Sequence, residues 1–260
     1  MELTIYQIDA FADQIFAGNP AAVVPLKSWL PDELMQQIAA ENNLSETAFY
    51  VPDGAGFHIR WFTPAIEVDL CGHATLASAY VLYEFQEYNQ PVLHFNCRVG
   101  PLAVRKTAEG LCMDFPADTL ERMEPPAHLA KALGTDVIDF FRGREDFLAI
   151  VDSEATIRTL RPDLRGLAQL QARGLLVSAP GIEKDFVSRC FFPQSGVDED
   201  PVTGSAHTTM TPYWAQRLGK TKLEARQLSA RGGNVRCELV GDRVLLTGNA
   251  HAYLRGTIFV

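Results

Sequence analysis

The sequence predicts a mixed α/β protein (α+β) of two pseudo-symmetric domains, in each of which a curved, mainly antiparallel sheet or barrel surrounds one central helix. Many short apolar runs separated by Gly and Pro turns predict strands. Residues 74–85 are small and apolar on nearly every side, which is typical of a helix that is buried all round. A strand, a proline, an acidic loop and a helix-opening glycine precede that helix and recur before residues 205–218, which indicates an internal repeat.

The first half begins with a predicted hairpin. Residues 3–11 alternate like a strand, and Gly18, Asn19 and Pro20 turn the chain into a second apolar run. Pro31 opens a helix that ends at two asparagines, and a strand then begins at Glu46. Further strands are predicted at 57–62, 92–97, 102–107 and 111–115.

A polar, proline-rich passage after residue 116 is typical of a domain linker. We therefore expect domains at 1–116 and 117–260, with the last strand able to pack with the first domain. The predicted elements of the second half are a helix at 127–133, strands at 147–151, 174–179 and 185–192, a turn-rich or helical segment at 154–170, a helix at 205–218, and strands from 222 to 260.

The composition restricts the class of protein. The chain has 260 residues, 47% of them hydrophobic, and a formal net charge of −9, which argues against a nucleic-acid partner and favours a small-molecule ligand. No apolar stretch has the length of a membrane span, and the N-terminus enters a strand pattern directly, so we expect a cytoplasmic protein that does not bind membranes. Five scattered cysteines form no C-x-x-C pair, and the histidines share no ligand spacing, so we expect no disulfide framework and no metal.

The segment 197–207 suggests an anion site. We expect its acids and Pro201 to lie outside regular structure. Thr203, Gly204 and Ser205 would leave free backbone N–H groups at the start of the following helix, where the helix dipole attracts a carboxylate or phosphate. An ordinary capped helix after an acidic loop is the alternative.

Several single residues could carry chemistry. His73, after Gly72 at a predicted helix start, could contact substrate and titrate near neutral pH, or it could only pack. Cys71 at the same helix end is expected to have a depressed pKa and could be a nucleophile or base, whereas the default for each cysteine is a small buried hydrophobic residue. A structural role is expected for His207, and Glu46 by itself suits a solvated surface group. Nucleophile-elbow, Walker A and G-x-G-x-x-G motifs are absent, so hydrolase and nucleotide-binding functions lack support.

Five motifs occur in the order found in one known family. They are Gly18-Asn19-Pro20-Ala21-Ala22-Val23 after Phe11, Ser45-Glu46-Thr47-Ala48-Phe49, Arg60-Trp61-Phe62-Thr63-Pro64, Leu70-Cys71-Gly72-His73-Ala74-Thr75 and Glu199-Asp200-Pro201-Val202-Thr203-Gly204-Ser205-Ala206. The chain resembles the PhzF-like isomerase family of phenazine biosynthesis, which shares the diaminopimelate epimerase fold. The resemblance covers nearly the whole chain and implies a homodimer without metal or cofactor.

The same resemblance implies roles for particular residues. It places the family's general acid/base on Glu46, a cleft-lining histidine on His73 and an acidic partner on Asp200. The substrate contacts that it implies are Asn19, Gly72, Gly204 and Ser205. Backbone amides at the two helix starts would hold the substrate carboxylate, with the two helix ends facing each other across a cleft.

The resulting hypothesis is an isomerase that moves a proton on a small carboxylate-bearing metabolite, with Glu46 as general acid and base. Two alternatives stay open. One is a thiol-dependent amino-acid epimerase or racemase that uses Cys71. Related epimerases use two facing cysteines, whereas here we place Asp200 and Pro201 at the second position. The other is a non-catalytic protein that binds small anions. The identity of the substrate stays open.

Overall fold

The computed structural model describes residues 1–260, which form two compact units. The first unit is Met1–Asp114 with Thr247–Val260, and the second is Phe115–Leu246. The fold is mixed α/β with more residues in strands than in helices, as the sequence predicts. The domain division between residues 116 and 117 stays a proposal. Among the helices, none combines the length and the apolar character that a bilayer crossing requires.

The strands are β1 (Glu2–Ala10), β2 (Asn19–Pro25), β3 (Glu46–Asp53), β4 (Gly56–Phe62), β5 (Glu67–Val68), β6 (Val92–Cys97), β7 (Gly100–Thr107), β8 (Gly110–Pro116), β9 (Glu121–Arg122), β10 (Asp139–Arg142), β11 (Phe147–Ile150), β12 (Leu175–Pro180), β13 (Phe186–Phe192), β14 (Val197–Asp200), β15 (Lys222–Gln227), β16 (Gly233–Val240), β17 (Arg243–Gly248) and β18 (Ala250–Phe259). The helices are α1 (Asp32–Asn42), α2 (Gly72–Phe85), α3 (Leu129–Leu133), α4 (Glu154–Thr159), α5 (Leu164–Leu167) and α6 (Gly204–Leu218).

The first unit has a regular order of strand pairs. β1 pairs antiparallel with β2, which confirms the predicted hairpin, and it also pairs with β18. β2 runs parallel to β3, β3 antiparallel to β4, and β4 parallel to β6. In this register Glu46, the first residue of β3, lies beside Ala21 of β2. A catalytic candidate is therefore anchored at the end of a paired strand.

The second unit repeats this order. β10 and β11 are antiparallel, β11 and β12 parallel, β12 and β13 antiparallel, and β13 and β15 parallel. Each unit also places a short strand before its long helix, β5 before α2 and β14 before α6, and in both cases this strand is antiparallel to the strand it follows. The internal repeat predicted from the sequence is thus present as a repeat of strand topology.

Helix α2 is the core helix of the first unit. It packs against β1, β2, β3 and β18, and nine of its residues are buried, as its uniformly apolar sequence predicts. Thr75 and Ser78 are among them, and their hydroxyls donate to the carbonyls of Cys71 at 2.6 Å and Ala74 at 2.8 Å. These bonds satisfy the two buried hydroxyls of the helix, which would be costly to leave unpaired.

Helix α6 takes the corresponding place in the second unit and packs against β15 and β16. It ends at Gly219, whose φ of 66° is the left-handed conformation expected of a glycine after a helix. Trp214 stacks on Phe186 with 5.7 Å between ring centroids and donates its Nε1–H to Ser178 at 2.9 Å. The helix is therefore fixed to the sheet by both apolar and polar contacts.

The expectation that the acids of 197–200 lie outside regular structure is wrong, because they form β14, antiparallel to β13. The charge of Glu199 is compensated by Arg189, whose guanidinium donates two hydrogen bonds of 2.7 Å to the carboxylate. Arg189 also donates to the carbonyl of Leu160 at 2.9 Å. A bidentate arginine thus allows an acidic segment to pair as a strand. Strand β10 is a second difference, since no strand was predicted between residues 133 and 147.

Candidate active site

Glu46 and His73 form the central contact of the first unit. Glu46 is the first residue of β3 and His73 the second residue of α2. Oε2 of Glu46 lies 3.1 Å from Nε2 of His73. Both atoms are buried, and apart from this short ion-pair contact, which lacks hydrogen-bond geometry, neither has a polar partner. The two residues that the family resemblance names as catalytic therefore interact directly.

The second ring nitrogen of His73 faces Asn19. The amide nitrogen of Asn19 lies 3.2 Å from Nδ1, and the amide oxygen of Asn19 accepts a hydrogen bond of 3.2 Å from the Ser45 hydroxyl. Because the Asn19 NH2 group donates, Nδ1 is the acceptor, and the neutral ring carries its proton on Nε2, the nitrogen that lies beside Glu46. Asn19 is fully buried beside His73, and its role as a substrate contact stays a prediction.

Cys71 is the N-cap residue of α2, and its Sγ lies 3.5 Å from Nδ1 of His73. The prediction of a depressed thiol pKa is wrong. Burial, followed by the negative charge of Glu46, raises the pKa of Cys71 to about 11. Desolvation and a neighbouring carboxylate both disfavour a thiolate, and together they outweigh the helix end and His73. Cys71 is a neutral thiol near neutral pH.

Whereas the site favours the neutral form of Cys71, it favours the charged form of His73. Burial lowers the pKa of His73, whereas Cys71 and Glu46 raise it, and the net direction is well above the ordinary histidine value. The neighbouring carboxylate therefore favours an imidazolium in a site that is otherwise unfavourable to charge. When the ring is doubly protonated, Nδ1 becomes a donor. The sulfur of Cys71 or, after rotation of its amide, the oxygen of Asn19 is then available as acceptor.

Glu46, Cys71 and His73 also present donor atoms within 4.8 Å of one another, a spacing that could hold a metal ion. Carboxylate, thiolate and imidazole are all zinc ligands. However, the thiol contacts Nδ1 and the carboxylate contacts Nε2, on different edges of one ring. An ion bound by all three residues would require at least one of these contacts to rearrange. The absence of a metal stays a prediction.

The second unit holds Asp200 in a separate hydrogen-bonded cluster. Oδ2 of Asp200 accepts a 2.5 Å hydrogen bond from the hydroxyl of Thr203, the N-cap residue of α6. Gln227, fully buried at the end of β15, clamps this turn: its Oε1 accepts from the Thr203 backbone N–H at 2.9 Å, and its Nε2 donates to the Asp200 carbonyl at 2.7 Å. The loop that carries Asp200 is thus held at both ends by one amide side chain.

Gln227 was missed by sequence reasoning, although a signal was present. Leu223 and Ala225 are buried on alternate positions of β15, and Gln227 continues this face. A polar residue at a position predicted to be apolar must find buried partners, and here the partners are the backbone and hydroxyl of the 200–203 turn.

Gly204 and Ser205 are the first two residues of α6, which begins one residue before the predicted start at 205, and Ser205 contacts a residue that the sequence did not suggest. Nη2 of Arg173 donates to the Ser205 hydroxyl at 3.1 Å. The same guanidinium donates to both oxygens of the buried Asp146. No motif marks Arg173 or Asp146, because their pairing depends on residues far apart in the chain.

His207 has the structural role expected for it. The residue is fully buried, and its Nδ1 lies 2.8 Å from the carbonyl of Thr203, to which it donates. Burial lowers the pKa of His207 to about 4. The ring is therefore neutral near neutral pH and caps the turn before α6 instead of exchanging protons.

A surface cavity of about 500 Å³ lies elsewhere in the first unit and includes none of the predicted site residues. Its charged lining is already paired: Arg60 binds Glu67 at 2.7 Å, and Arg98 binds Asp69 at 2.7 Å. Since each cation has a carboxylate partner, this lining offers no free charge to a ligand. This cavity does not coincide with the predicted site residues.

Comparisons with known proteins identify relatives of this chain. Residues 8–256 match the family model described as phenazine biosynthesis-like protein. The chain is 53% identical over 258 residues to an uncharacterized isomerase of Pseudomonas aeruginosa, covering 99% of each chain. A crystal structure of a PhzF-family phenazine biosynthesis protein from Enterococcus faecalis matches with a TM-score of 0.98 and 45% identity over 100% of both chains.

A more distant structure shows how widely the fold is shared. A hydroxyproline epimerase from Agrobacterium vitis matches with a TM-score of 0.66 over 99% of this chain and 92% of that one, at 10% identity, which is a likeness of fold alone. The family-model match and the relative at 53% identity both span nearly the whole sequence. The chain therefore belongs to the phenazine biosynthesis-like protein family.

Proposed function

We propose that this protein, an isomerase of its family, moves a proton on a small carboxylate-bearing metabolite with Glu46 as general acid and base. The single observation that carries this proposal is the 3.1 Å contact between Glu46 and His73. A carboxylate beside a buried imidazole with no competing partner is suited to exchanging a proton with a bound substrate.

Glu46 has the geometry that a general base requires. The contact with His73 is made by Oε2, and we propose that Oε1 faces the substrate. The Glu46 side chain keeps 18% of its surface exposed, whereas that of His73 keeps 7%. In the proposed cycle Nε2–H of His73 donates to the ionised carboxylate, and Oε1 takes the substrate proton and returns it to another carbon. His73 can thus stabilise Glu46 by a hydrogen bond in both its ionised and its protonated form, and His73 does not have to move.

A thiol mechanism is less favourable. The pKa of Cys71 is raised to about 11, so the thiolate is scarce near neutral pH. The sequence had suggested Asp200 and Pro201 as the counterpart of Cys71. By position in the helix the counterpart is Thr203, because Cys71 is the N-cap of α2 and Thr203 is the N-cap of α6. A two-thiol epimerase needs a second sulfur at that position, and a threonine hydroxyl is far too weak an acid to replace it.

The remaining parts of the proposal rest on the family resemblance. Asp200 is proposed as a second acidic group in the reaction, and Gly72, Gly204 and Ser205 as contacts for the substrate carboxylate. Asn19 is proposed to act through His73. We also propose that the enzyme works without a cofactor, as a cytoplasmic homodimer. Phenazine precursors are one candidate class of substrate.

The test is solvent exchange. Purified protein is incubated in D2O with a panel of small carboxylates that carry an acidic C–H bond near the carboxylate, and deuterium uptake is followed by proton NMR. We expect exchange with at least one compound and a loss of roughly 10²- to 10⁴-fold in Glu46→Gln. Glu41→Gln, which changes an exposed acid of α1, is the matched control. Undiminished exchange in Glu46→Gln would remove Glu46 from the mechanism, and a panel without any exchange would favour the non-catalytic alternative.

A further inference from the structure

The two long helices begin in the same way. Cys71 and Thr203 are N-cap residues with extended backbone conformations, and neither uses its side chain to cap its helix. Each is followed by a glycine as the first helical residue. The second helical residue is His73 in α2 and Ser205 in α6. These two residues therefore hold equivalent places in the repeated topology.

The strands that precede them also correspond. β3 and β12 each run parallel to the preceding strand and antiparallel to the following one. Glu46 is the first residue of β3, and Arg173 lies two residues before β12 begins. Glu46 reaches His73 at 3.1 Å, and Arg173 reaches Ser205 at 3.1 Å. Arg173 thus takes the place in the second unit that Glu46 takes in the first.

The charge of Arg173 is already committed. Its guanidinium donates to Oδ1 of Asp146 at 2.9 Å and to Oδ2 at 2.5 Å, and it forms an ion pair of 2.9 Å with Glu145. Asp146 is only 3% exposed, so this bidentate pair is firmly held. Two carboxylates around one guanidinium leave no net positive charge, so Arg173 does not attract an anion by charge. Its effect on Ser205 is to orient the hydroxyl group.

The orientation of the Ser205 hydroxyl follows from its hydrogen bond with Arg173. Nη2 of Arg173 donates to Ser205 Oγ, which occupies a lone pair of that oxygen. The hydroxyl of Ser205 makes no donating hydrogen bond to another protein group, and the residue is only half-buried. Its proton is therefore turned away from the guanidinium and is free to bind an external acceptor. A carboxylate oxygen is such an acceptor.

We infer that Arg173, held by Asp146, is a positioning residue that fixes the Ser205 hydroxyl as a hydrogen-bond donor to a carboxylate oxygen of the substrate. The inference rests on the proposed substrate role of Ser205. The two equivalent positions then have different tasks. Glu46 carries the proton in the first unit, and Arg173 orients the anion-binding hydroxyl of Ser205 in the second.

The test uses acetate as the probe and acetamide as its neutral control. Amide signals of Gly204 and Ser205 are followed by ¹⁵N–¹H NMR during titration. We expect acetate, and not acetamide, to shift both signals saturably in the wild-type protein. Ser205→Ala should weaken acetate binding about tenfold, the effect of losing one hydrogen bond to a charged group.

Removal of Arg173 alone would leave Asp146 buried without a partner, so the variant that tests positioning is the pair Arg173→Gln with Asp146→Asn. We expect this pair to weaken acetate binding about tenfold, and to have no further effect when combined with Ser205→Ala. A merely structural role would not produce this dependence on Ser205. The control is Arg122→Gln, which breaks an exposed ion pair with Asp139 and should leave acetate binding unchanged.

Three results would overturn the inference: no saturable shift with acetate in the wild type, unchanged binding in the paired variant, or losses that multiply to about a hundredfold in the combined variant. The titration requires neither turnover nor Glu46. Failure here would therefore leave the proton-transfer proposal intact, and failure of the D2O exchange test would leave this one intact.

Discussion

The side-chain amide of Asn19 lies 3.2 Å from Nδ1 of His73, while the carboxylate of Glu46 lies 3.1 Å from Nε2 of the same ring. The imidazole is thus held between an amide and a carboxylate inside the first unit. Since Nδ1 accepts from the Asn19 NH2 group, the neutral ring keeps its proton on the side of Glu46. Asn19, 54 residues away in the sequence, thus decides which nitrogen of the neutral ring carries the proton.

The first prediction follows from this contact. Asn19→Asp replaces an NH2 donor by a carboxylate beside Nδ1, so a second proton on the ring becomes more favourable and the pKa of His73 should rise further. Glu46→Gln should lower the His73 pKa, because burial then faces one fewer opposing charge. Imidazole ¹⁵N shifts measured over a pH range report both effects. Asn89→Asp, on the exposed surface, is the control, and an Asn19→Asp titration like that of wild type would exclude the proposed role of Asn19.

Gln227 supports the second prediction. Gln227→Leu removes the acceptor of the Thr203 N–H and the donor to the Asp200 carbonyl, and it leaves these backbone groups without their partner. We expect the free energy of unfolding to fall by roughly 3 kcal/mol, since each buried group left unpaired costs about 1–3 kcal/mol. Chemical denaturation measures this loss. Gln171→Leu at an exposed position should change stability little, and equal stability of the two variants would show that Gln227 is not the clamp of this turn.

The third prediction concerns acid stability. The pKa of His207 is lowered to about 4 by burial, whereas an unfolded histidine titrates near 6.5. Between these values the unfolded chain binds a proton that the folded chain excludes, so stability is lost as the pH falls from about 6.5 to about 4. The difference between the folded and unfolded pKa values corresponds to a loss of about 3 kcal/mol in the free energy of unfolding.

His207→Gln keeps a donor for the Thr203 carbonyl and cannot take up a proton, so its stability should fall less steeply with acid. Denaturation curves at pH 7, 5.5 and 4 for wild type and His207→Gln give the comparison. Parallel losses in the two proteins would mean that His207 does not resist protonation in the folded state.

The elements of the fold could be predicted because their signals are local. The uniformly apolar sequence of α2 indicated a helix buried on all sides, and the glycine after α6 marked its end. The repeated order of strand, proline, acids and helix indicated two similar units. Glu46 at a strand start and His73 at a helix start were identified from ordered motifs, which are also local.

The parts that could not be predicted depend on distant residues or on burial. Arg173 and Ser205 are 32 residues apart, and no local pattern indicates that they meet. The acids of β14 were expected in a loop because the partner of Glu199, Arg189, lies on another strand. The direction of the Cys71 pKa was mistaken because a helix end favours a thiolate, and the sequence does not show that desolvation and Glu46 outweigh it.

The most direct test of the central claim compares Glu46→Gln with Cys71→Ser in the same D2O exchange reaction, on a substrate that the wild-type protein exchanges. If Glu46 is the acid and base, its variant should lose roughly 10²- to 10⁴-fold in exchange rate, and Cys71→Ser should stay within about tenfold of wild type. Cys71 touches the His73 ring, so a small change is expected from the altered contact. The reverse order, with Cys71→Ser inactive and Glu46→Gln close to wild type, would contradict carboxylate catalysis and identify a thiol mechanism.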